Sequence, residues 1–222
     1  MCRALVYYRA WKASNNDTYH PLRARKPWIN YPATDLLSSR LHTGQSVFEF
    51  GAGGSTLFFL DKGLRVTTVE HDCKWFQTIS DAVSSHGQVS AWRGLLCEPS
   101  IRSTQPDPSD WANPEAYASS SRLHQNHDFS VYAKSIDRFK NERFDLVLID
   151  GRARPSCVKH AACKVKQGGF LLVDNTERAH YVTPRTLDHL KMFRLVRDCY
   201  GPTAGLLNFT RSTIWQLPLG TG

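Results

Sequence analysis

The sequence predicts an α/β fold in which helices cover both faces of one doubly wound, mostly parallel sheet of seven strands. Short apolar segments rich in β-branched and aromatic residues alternate with helical patterns over most of the chain. Two of these segments contain the fully apolar runs VLI and LLV, which are typical of parallel strands buried on both faces. The last two strands follow each other without a helix between them, so we expect the last strand to be antiparallel.

Length and composition favour a single domain. The chain has 222 residues, 41% of them hydrophobic, which is enough for one well-buried domain and short for two. Residues 1–30 show no periodicity and are expected to form an N-terminal arm or cap on a domain of residues 31–222. No apolar run is long enough to span a membrane, and the six cysteines form no CxxC pair. We therefore expect a cytoplasmic protein with free thiols and no membrane partner.

The charge balance leaves two interpretations of the surface open. The net charge is +8, from 28 basic and 20 acidic side chains, with basic clusters at 23–26, 152–154 and 159–166. Such a surface attracts phosphate-rich partners, including nucleic acid. We favour an ordinary solvated surface, because aromatic residues do not alternate with the basic ones as in a nucleic-acid platform. The sequence does not indicate the oligomeric state, and a homodimer is compatible with it.

The first half of the chain alternates helices with strands. Leu36, Leu37 and Leu41 recur at helical spacing behind a proline, which predicts a helix before the first strand. Gly87 is expected to end a later amphipathic helix. The predicted elements are a helix from Pro32, strand 46–50, helix 55–62, strand 65–70, helix 73–85 and strand 88–92.

The second half opens with an irregular segment, residues 95–128, which contains four prolines among serines, asparagines and histidines. Connections of this length inside a compact domain are usually lids or binding loops, so we expect a lid-like insertion over an acceptor pocket. Regular alternation then resumes. The predicted elements are helix 130–140, strand 144–150, helix 155–166, a turn at Gly168-Gly169, strand 170–175, helix 183–191, and strands 193–199 and 212–217.

A glycine-rich turn after the first strand is the most informative feature of the chain. Residues 46–72 follow the order strand, glycine loop, helix, strand and acid. At Gly51-Ala52-Gly53-Gly54 the missing side chains let the backbone turn sharply and approach a ligand closely. Glu70 ends the second strand 21 residues after Glu49, near the spacing at which an acid binds ribose hydroxyls. The segment therefore predicts a nucleotide-like cofactor.

The strand order, the glycine loop and the acid after the second strand together resemble the class I S-adenosylmethionine-dependent methyltransferases, over about residues 34–217. The first motif of that family reads acid, any residue, Gly, any residue, Gly, and here it spans 49–53. A dinucleotide-binding dehydrogenase would have glycine at Thr56 instead. The resemblance implies a Rossmann-like methyltransferase fold with S-adenosylmethionine as cofactor. The cofactor-binding residues that it implies are Glu49, Gly51, Ala52, Gly53, Ser55, Thr56, Glu70, His71 and Arg93, the last at the end of the third predicted strand.

A narrower resemblance, to the small cation-dependent O-methyltransferases, concerns Asp150, Asp174 and Asn175. In those enzymes an acid after the fourth strand and an Asp-Asn pair after the fifth hold a magnesium or calcium ion. Hard oxygen ligands at neighbouring strand ends suit such a cation, which lowers the pKa of a bound substrate hydroxyl. The resemblance therefore implies a Mg²⁺ or Ca²⁺ ion at these three residues. Asp and Asn at strand ends also often cap a helix or hold a turn, so a structural role stays open.

Together these resemblances imply methyl transfer to an oxygen nucleophile of a small or medium-sized acceptor. The catalytic residues implied are Asp150, Arg152 and His180. Ala153 stands where the cation-dependent enzymes have a lysine, so Arg152, Arg154 or His180 would have to assist. The alternative is a methyltransferase-fold module that binds nucleic acid or a protein through its basic surface without catalysis. The intact glycine loop and its two acids argue against that alternative.

Three histidines are open to two interpretations each. His71 follows the ribose acid, where a contact with the cofactor and a capping role beside Asp72 are equally compatible with the sequence. His124 and His127 lie in the irregular segment, three residues apart. That spacing suits a metal only if other ligands converge on it, and we favour solvent-exposed loop histidines.

Overall fold

The structure, a computed structural model, describes residues 4–220 apart from 17 and 106, and shows a seven-stranded sheet flanked by helices. The predicted α/β fold is therefore confirmed. In chain order the strands are β1 (Ser46–Phe50), β2 (Arg65–Glu70), β3 (Trp92–Leu96), β4 (Ser100–Ile101), β5 (His127–Asp128), β6 (Phe144–Ile149), β7 (Val165–Asp174), β8 (Arg194–Pro202) and β9 (Phe209–Gln216).

The strand order in the sheet is β3-β2-β1-β6-β7-β9-β8, and β4 pairs with β5 in a separate antiparallel ribbon. The first five strands of the sheet are parallel to one another, whereas β9 is antiparallel to both β7 and β8, as predicted for the last strand. The carboxyl ends of β1, β2, β3, β6 and β7 thus meet along one side, which we call the carboxyl edge. The strand order reverses between β1 and β6, and doubly wound sheets bind ligands outside that point.

Helices cover both faces of the sheet because successive side chains of the buried strands point to opposite faces. In β6, Leu146 and Leu148 pack in one core with the helices of residues 31–40, 54–61 and 73–84, whereas Val147 and Ile149 pack in the other with the helices of residues 130–133 and 154–161. None of the helices in the described residues is long and apolar enough to span a membrane. The helices are α1 (Ala4–Ser14), α2 (Pro21–Ala24), α3 (Tyr31–Arg40), α4 (Gly54–Asp61), α5 (Cys73–Ser84), α6 (Ser130–Ala133), α7 (Arg154–Ala161) and α8 (Pro184–Asp188).

Two predicted elements are wrong. The third strand occupies 92–96 rather than 88–92, because its pairing with β2 places Trp92 opposite Val66, and residues 89–91 form a 3₁₀ turn instead. Gly168 and Gly169 do not form a turn before β7 but lie within it, near a shift in its register with β6. The predicted helices at 130–140, 155–166 and 183–191 exist but are shorter, and the first two end in 3₁₀ turns.

Residues 4–30 pack against the domain at two distant places. Trp11 Nε1 donates to the carbonyl of Leu206 over 2.7 Å, and Trp28 Nε1 donates to the carbonyl of Ala204 over 2.9 Å, both in the β8–β9 connection. Further along, α2 lies against α4 beside the glycine loop. The arm therefore links the β8–β9 end of the molecule to the glycine loop at the start of α4.

The 95–128 segment lies over the carboxyl edge. The β4–β5 ribbon forms its base, and residues 108–112 and 122–124 form 3₁₀ turns. The Tyr117 N–H donates to the Ser156 hydroxyl over 3.1 Å, which fixes the middle of the segment to α7. Ala118 and Ser119 are buried. That the segment acts as a lid stays a prediction.

Candidate functional site

The glycine loop, residues 51–54, leaves β1 at the carboxyl edge and turns directly into α4. Gly51 has a φ of +96°, in the left-handed region that favours glycine, and a Cβ there would lie 3.2 Å from the Gly151 backbone. A Cβ on Gly53 would meet only the Ser55 hydroxyl, at 4.0 Å. The loop is thus packed against Gly151, two residues after the end of β6, and open at Gly53, where a ligand can approach the backbone.

The outer side of the loop rests on the N-terminal arm, a contact that the sequence did not reveal. The carbonyl oxygens of Pro21 and Lys26 lie so close to Gly54 that a Cβ would not fit. Trp75 Nε1, on α5, donates to the carbonyl of Ala52 over 2.8 Å. Both contacts fix the backbone amides at the start of α4, where the positive end of the helix dipole favours an anionic group.

Glu49 lies directly beneath the loop and is completely buried. Its Oε1 accepts hydrogen bonds from the hydroxyls of Thr56 and Thr68, the latter over 2.6 Å. Its Oε2 is buried and has no hydrogen-bond partner in the part of the chain that the structure describes. Burial raises the pKa of Glu49 to about 7, although the hydroxyl hydrogen bonds lower it. The free oxygen can accept a hydrogen bond from a cationic ligand group.

Glu70, at the end of β2, is buried but remains anionic. Its Oε2 accepts from the Ala52 N–H over 3.0 Å, and its Oε1 accepts from the N–H groups of His71 and Asp72 over 2.7 and 3.0 Å. Burial would raise the pKa of Glu70, but the hydrogen bonds and charge of His71 and the backbone donors lower it. Within the described part of the chain the Ala52 N–H is the one partner of Oε2, which retains a lone pair for a ribose hydroxyl.

His71 lies between the ribose acid and the 95–128 segment. Its Nδ1 is 2.6 Å from Glu70 Oε1, and its Nε2 is 3.5 Å from Arg152 Nε. The His124 ring meets the His71 ring edge-on, with their centres 5.0 Å apart. The centres of the His124 and His127 rings are 5.5 Å apart. Burial, and after it the charge of Arg152, lowers the pKa of His124 to about 4. The interpretation of His124 and His127 as solvent-exposed is therefore wrong, since both are partly buried in a histidine cluster above Glu70.

On the other side of the glycine loop, Arg154 joins the carboxyl ends of β6 and β7. Its Nε donates to the Gly151 carbonyl over 3.0 Å, and its Nη2 donates to the carbonyl and the Oδ1 of Asp150, each over 3.1 Å. Its Nη1 donates to the carbonyl of Asp174. The guanidinium carbon also lies 4.8 Å from the centre of the Tyr181 ring. The sequence named Arg154 only as an assistant and did not single out Tyr181, because both contacts depend on the tertiary structure.

The two aspartates beside Arg154 differ in exposure. The Asp150 side chain is 24% exposed, whereas Asp174 is buried, and its Oδ1 accepts from the Ser212 hydroxyl. Burial raises the pKa of both carboxyls, and the charge of Asp174 raises that of Asp150 further. Asp150 is therefore the carboxyl of this pair that a substrate can reach.

The predicted Mg²⁺ or Ca²⁺ ion does not fit these residues. Oδ1 of Asp150 and the carbonyl of Asp174 already accept hydrogen bonds from Arg154, whose positive charge would repel a second cation. Asn175 has a φ of +54° and its carbonyl accepts from Arg178 N, so it opens a turn. Among residues 4–220 other than 17 and 106, no group of three or more His, Cys, Asp or Glu side chains could hold a metal ion. The structural alternative therefore describes Asn175 better.

His180 follows β7 and faces the 95–128 segment. Its Nε2 lies 3.1 Å from the Ser120 hydroxyl, and its ring lies 4.4 Å from that of Tyr181. Burial lowers the pKa of His180, and the charges of Arg178 and Arg154 lower it further. The ring is therefore neutral at pH 7 and able to accept a proton.

Arg93 is the one predicted cofactor residue that lies elsewhere. It is the second residue of β3, at the opposite end of that strand from the carboxyl edge, and its guanidinium lies 5.3 Å from the centre of the Phe139 ring. The prediction failed because the third strand was placed four residues too early. Cys97, the first residue after β3 at the carboxyl edge, holds the position that the sequence assigned to Arg93.

Comparison with known proteins supports the fold. No protein-family model and no curated protein matches the sequence. A protein of Corynebacterium glutamicum matches with a TM-score of 0.57 and 14% identity, over 98% of this chain and 99% of that one. TrmN from Thermus thermophilus matches with a TM-score of 0.55 and 14% identity, over 83% of this chain and 48% of that one. A point mutant of MtNAS in complex with S-adenosylmethionine matches with a TM-score of 0.50 and 12% identity, over 84% and 60% of the chains.

These likenesses give the chain a Rossmann-like methyltransferase fold. The chain spans about half the length of TrmN and three fifths of that of MtNAS. Activity, substrate and partners of those larger proteins therefore do not transfer to it with the fold.

Proposed function

We propose that the protein is a methyltransferase that uses S-adenosylmethionine and methylates an oxygen nucleophile of a small or medium-sized acceptor. One observation carries the proposal: the buried carboxylate of Glu49 has an oxygen without a partner among the described residues, beside an open glycine loop. A buried polar atom without a partner is costly, so such an atom beneath a ligand loop points to a polar ligand group. The α-ammonium of S-adenosylmethionine has the charge and the donors that this oxygen lacks.

The remaining groups of the glycine-loop side suit the rest of that cofactor. Ser55 and Thr56 lie in the first turn of α4, whose free N–H groups suit the cofactor carboxylate. The backbone of Ala52 and Gly53 is open to close approach, and Glu70 Oε2 retains a lone pair for a ribose hydroxyl. His71 would flank the same end. In this proposal the cofactor-binding set is Glu49, Gly51, Ala52, Gly53, Ser55, Thr56, Glu70 and His71.

The acceptor would bind above β6 and β7. Bound S-adenosylmethionine supplies an activated methyl group, so the protein needs mainly to align the acceptor and remove one proton. Asp150 is the exposed member of the carboxyl pair, and neutral His180 lies on the neighbouring loop, so either can take the hydroxyl proton. Arg152, between Asp150 and the histidine cluster, would orient an oxygen acceptor.

Calorimetry with S-adenosylmethionine and S-adenosylhomocysteine tests the proposal. We expect micromolar dissociation constants, about 8 kcal/mol of binding free energy. Glu70→Ala should weaken binding by about 1.5–3 kcal/mol, because it removes a charged acceptor of hydrogen bonds. Asp81→Ala, on the exposed side of α5, is the matched control and should bind like the wild type. Absence of binding, together with tight binding of NAD, would exclude the proposal, whereas salt-dependent binding of RNA alone would favour the non-catalytic module.

A further inference from the structure

Arg154 occupies an unusual position for a cationic side chain. It is the first residue of α7, directly after the loop that leaves β6, and only 5% of its surface is exposed. Arginine is rarely buried unless anionic or carbonyl groups surround its guanidinium. Here those groups come from two neighbouring strand ends, which are 20 residues or more apart in the chain.

The hydrogen bonds of Arg154 account for almost all of its donors. Four N–H···O contacts reach Gly151, Asp174 and, twice, Asp150. A guanidinium has five N–H donors, so one remains. The acceptors are one carboxylate oxygen and three backbone carbonyls, oxygen ligands of the kind that hard divalent cations take in proteins.

Tyr181 and Ser212 pack around the guanidinium of Arg154 and the carboxyl of Asp174. The face of the Tyr181 ring covers it at 4.8 Å, which is cation–π distance. Behind Asp174, the Ser212 hydroxyl donates to Oδ1, so that carboxyl is also held in place. The centre between the two strand ends is therefore filled by a fixed positive charge.

We propose that Arg154 takes the place of a divalent cation at the carboxyl ends of β6 and β7. Its guanidinium neutralises the Asp150–Asp174 pair and fixes the geometry of both strand ends, and Arg154 is thus a positioning residue. The inference does not depend on methyl transfer, since it concerns only how these acids are neutralised.

Removal of the guanidinium should convert the site into a metal site. We expect wild-type protein to bind no Mn²⁺ by electron paramagnetic resonance, and its melting temperature to be unchanged by EDTA. Arg154→Met should bind one Mn²⁺ per chain under conditions in which the wild type binds none, because the Asp150 carboxylate and three carbonyls lose their cationic donor while the Asp174 carboxylate lies beside them. Adding Asp174→Asn to Arg154→Met should abolish that binding, and Arg154→Lys, which keeps the charge, should not bind Mn²⁺.

Two results would overturn the proposal. One is stoichiometric Mn²⁺ binding by the wild type that Asp150→Asn abolishes. The other is a folded Arg154→Met variant that does not bind Mn²⁺. If Arg154→Met is unfolded without metal, Mn²⁺ should restore its circular-dichroism spectrum and thermal transition, and failure to do so also counts against the proposal. None of these measurements uses S-adenosylmethionine, so the cofactor calorimetry can fail or succeed independently.

Discussion

Glu49 illustrates how one residue can be unfavourable for folding and useful for binding. Its carboxyl is buried with one oxygen that no described residue contacts by a hydrogen bond, and burial raises its pKa from the ordinary 4.5 to about 7. Between these two pH values the folded chain binds more protons at Glu49 than the unfolded chain does. Stability therefore falls as the pH rises from about 4.5 to about 7, because the charged form is more costly inside the protein than in water.

Glu49→Gln should remove this cost, because the amide is never charged. We expect the variant to gain stability relative to the wild type as the pH rises from 5 to 8, by up to about 3 kcal/mol. Urea denaturation at both pH values measures the difference. If the proposed cofactor site is correct, the same variant binds S-adenosylhomocysteine more weakly.

The exposed Glu98 provides the control. Glu98→Gln should change stability by less than about 0.5 kcal/mol at either pH. An equal gain for Glu49→Gln at pH 5 and pH 8 would mean that the effect comes from packing and not from a linked titration.

At the scale of the elements, the 95–128 segment is fixed unevenly. The hydrogen bond of Tyr117 holds the middle of the segment on α7. At the β4–β5 ribbon, Arg102 Nε donates to the His127 carbonyl over 3.0 Å. The turn at 122–124 is more exposed, with Leu123 82% exposed, yet it also carries His124 onto His71. Ligand binding near Glu70 should therefore reduce the mobility of the exposed turn at 122–124.

Limited proteolysis tests the lid prediction at this turn. Trypsin should cleave early after Arg122, because exposed turns are the preferred sites of nicking. S-adenosylhomocysteine should slow the cut by holding His71 and the turn together, and mass spectrometry identifies the fragments. Arg122→Gln is the control and should lack this fragment. Equal cleavage rates with and without the ligand would leave the segment an ordinary surface insertion.

At the scale of the whole molecule, Asn30 connects parts that are far apart in the chain. Its Oδ1 accepts from Ala33 N over 3.0 Å and caps α3, while its Nδ2 donates to the Cys199 carbonyl and, over 2.9 Å, to the Ser212 hydroxyl. Ser212 in turn donates to Asp174. A continuous chain of hydrogen bonds therefore runs from the arm through β9 to the candidate acceptor site.

Asn30→Ala should destabilise the protein by about 2–4 kcal/mol, because it removes a helix cap and leaves buried acceptors without donors. Asn30→Asp, which keeps an acceptor for the cap but loses the Nδ2 donors, should still be clearly destabilised. The exposed Asn16 makes only local hydrogen bonds, so Asn16→Ala should cost much less. Urea denaturation measures all three variants, and similar values for Asn30→Ala and Asn16→Ala would exclude the long-range role.

The sequence by itself determined the sheet, because strand cores such as VLI and LLV and the glycine loop are local signals. A strand that is buried on both faces needs apolar side chains at successive positions, whatever its place in the sheet. The bounds of β1 and β2 and the positions of Glu49 and Glu70 followed from the same local periodicity. The places of the glycine loop and its two acids in the fold could therefore be predicted from the sequence, whereas their role in binding a cofactor stays a prediction.

The tertiary structure alone decided what depends on pairing across the sheet. β3 was misplaced because its register is set by hydrogen bonds to β2, which the residues of β3 do not encode alone, and Arg93 was misassigned with it. The aspartates were identified correctly at the strand ends, but only the fold shows that a guanidinium lies between them. A buried charge is stabilised by whichever groups surround it in space, and those groups come from segments that are distant in the sequence.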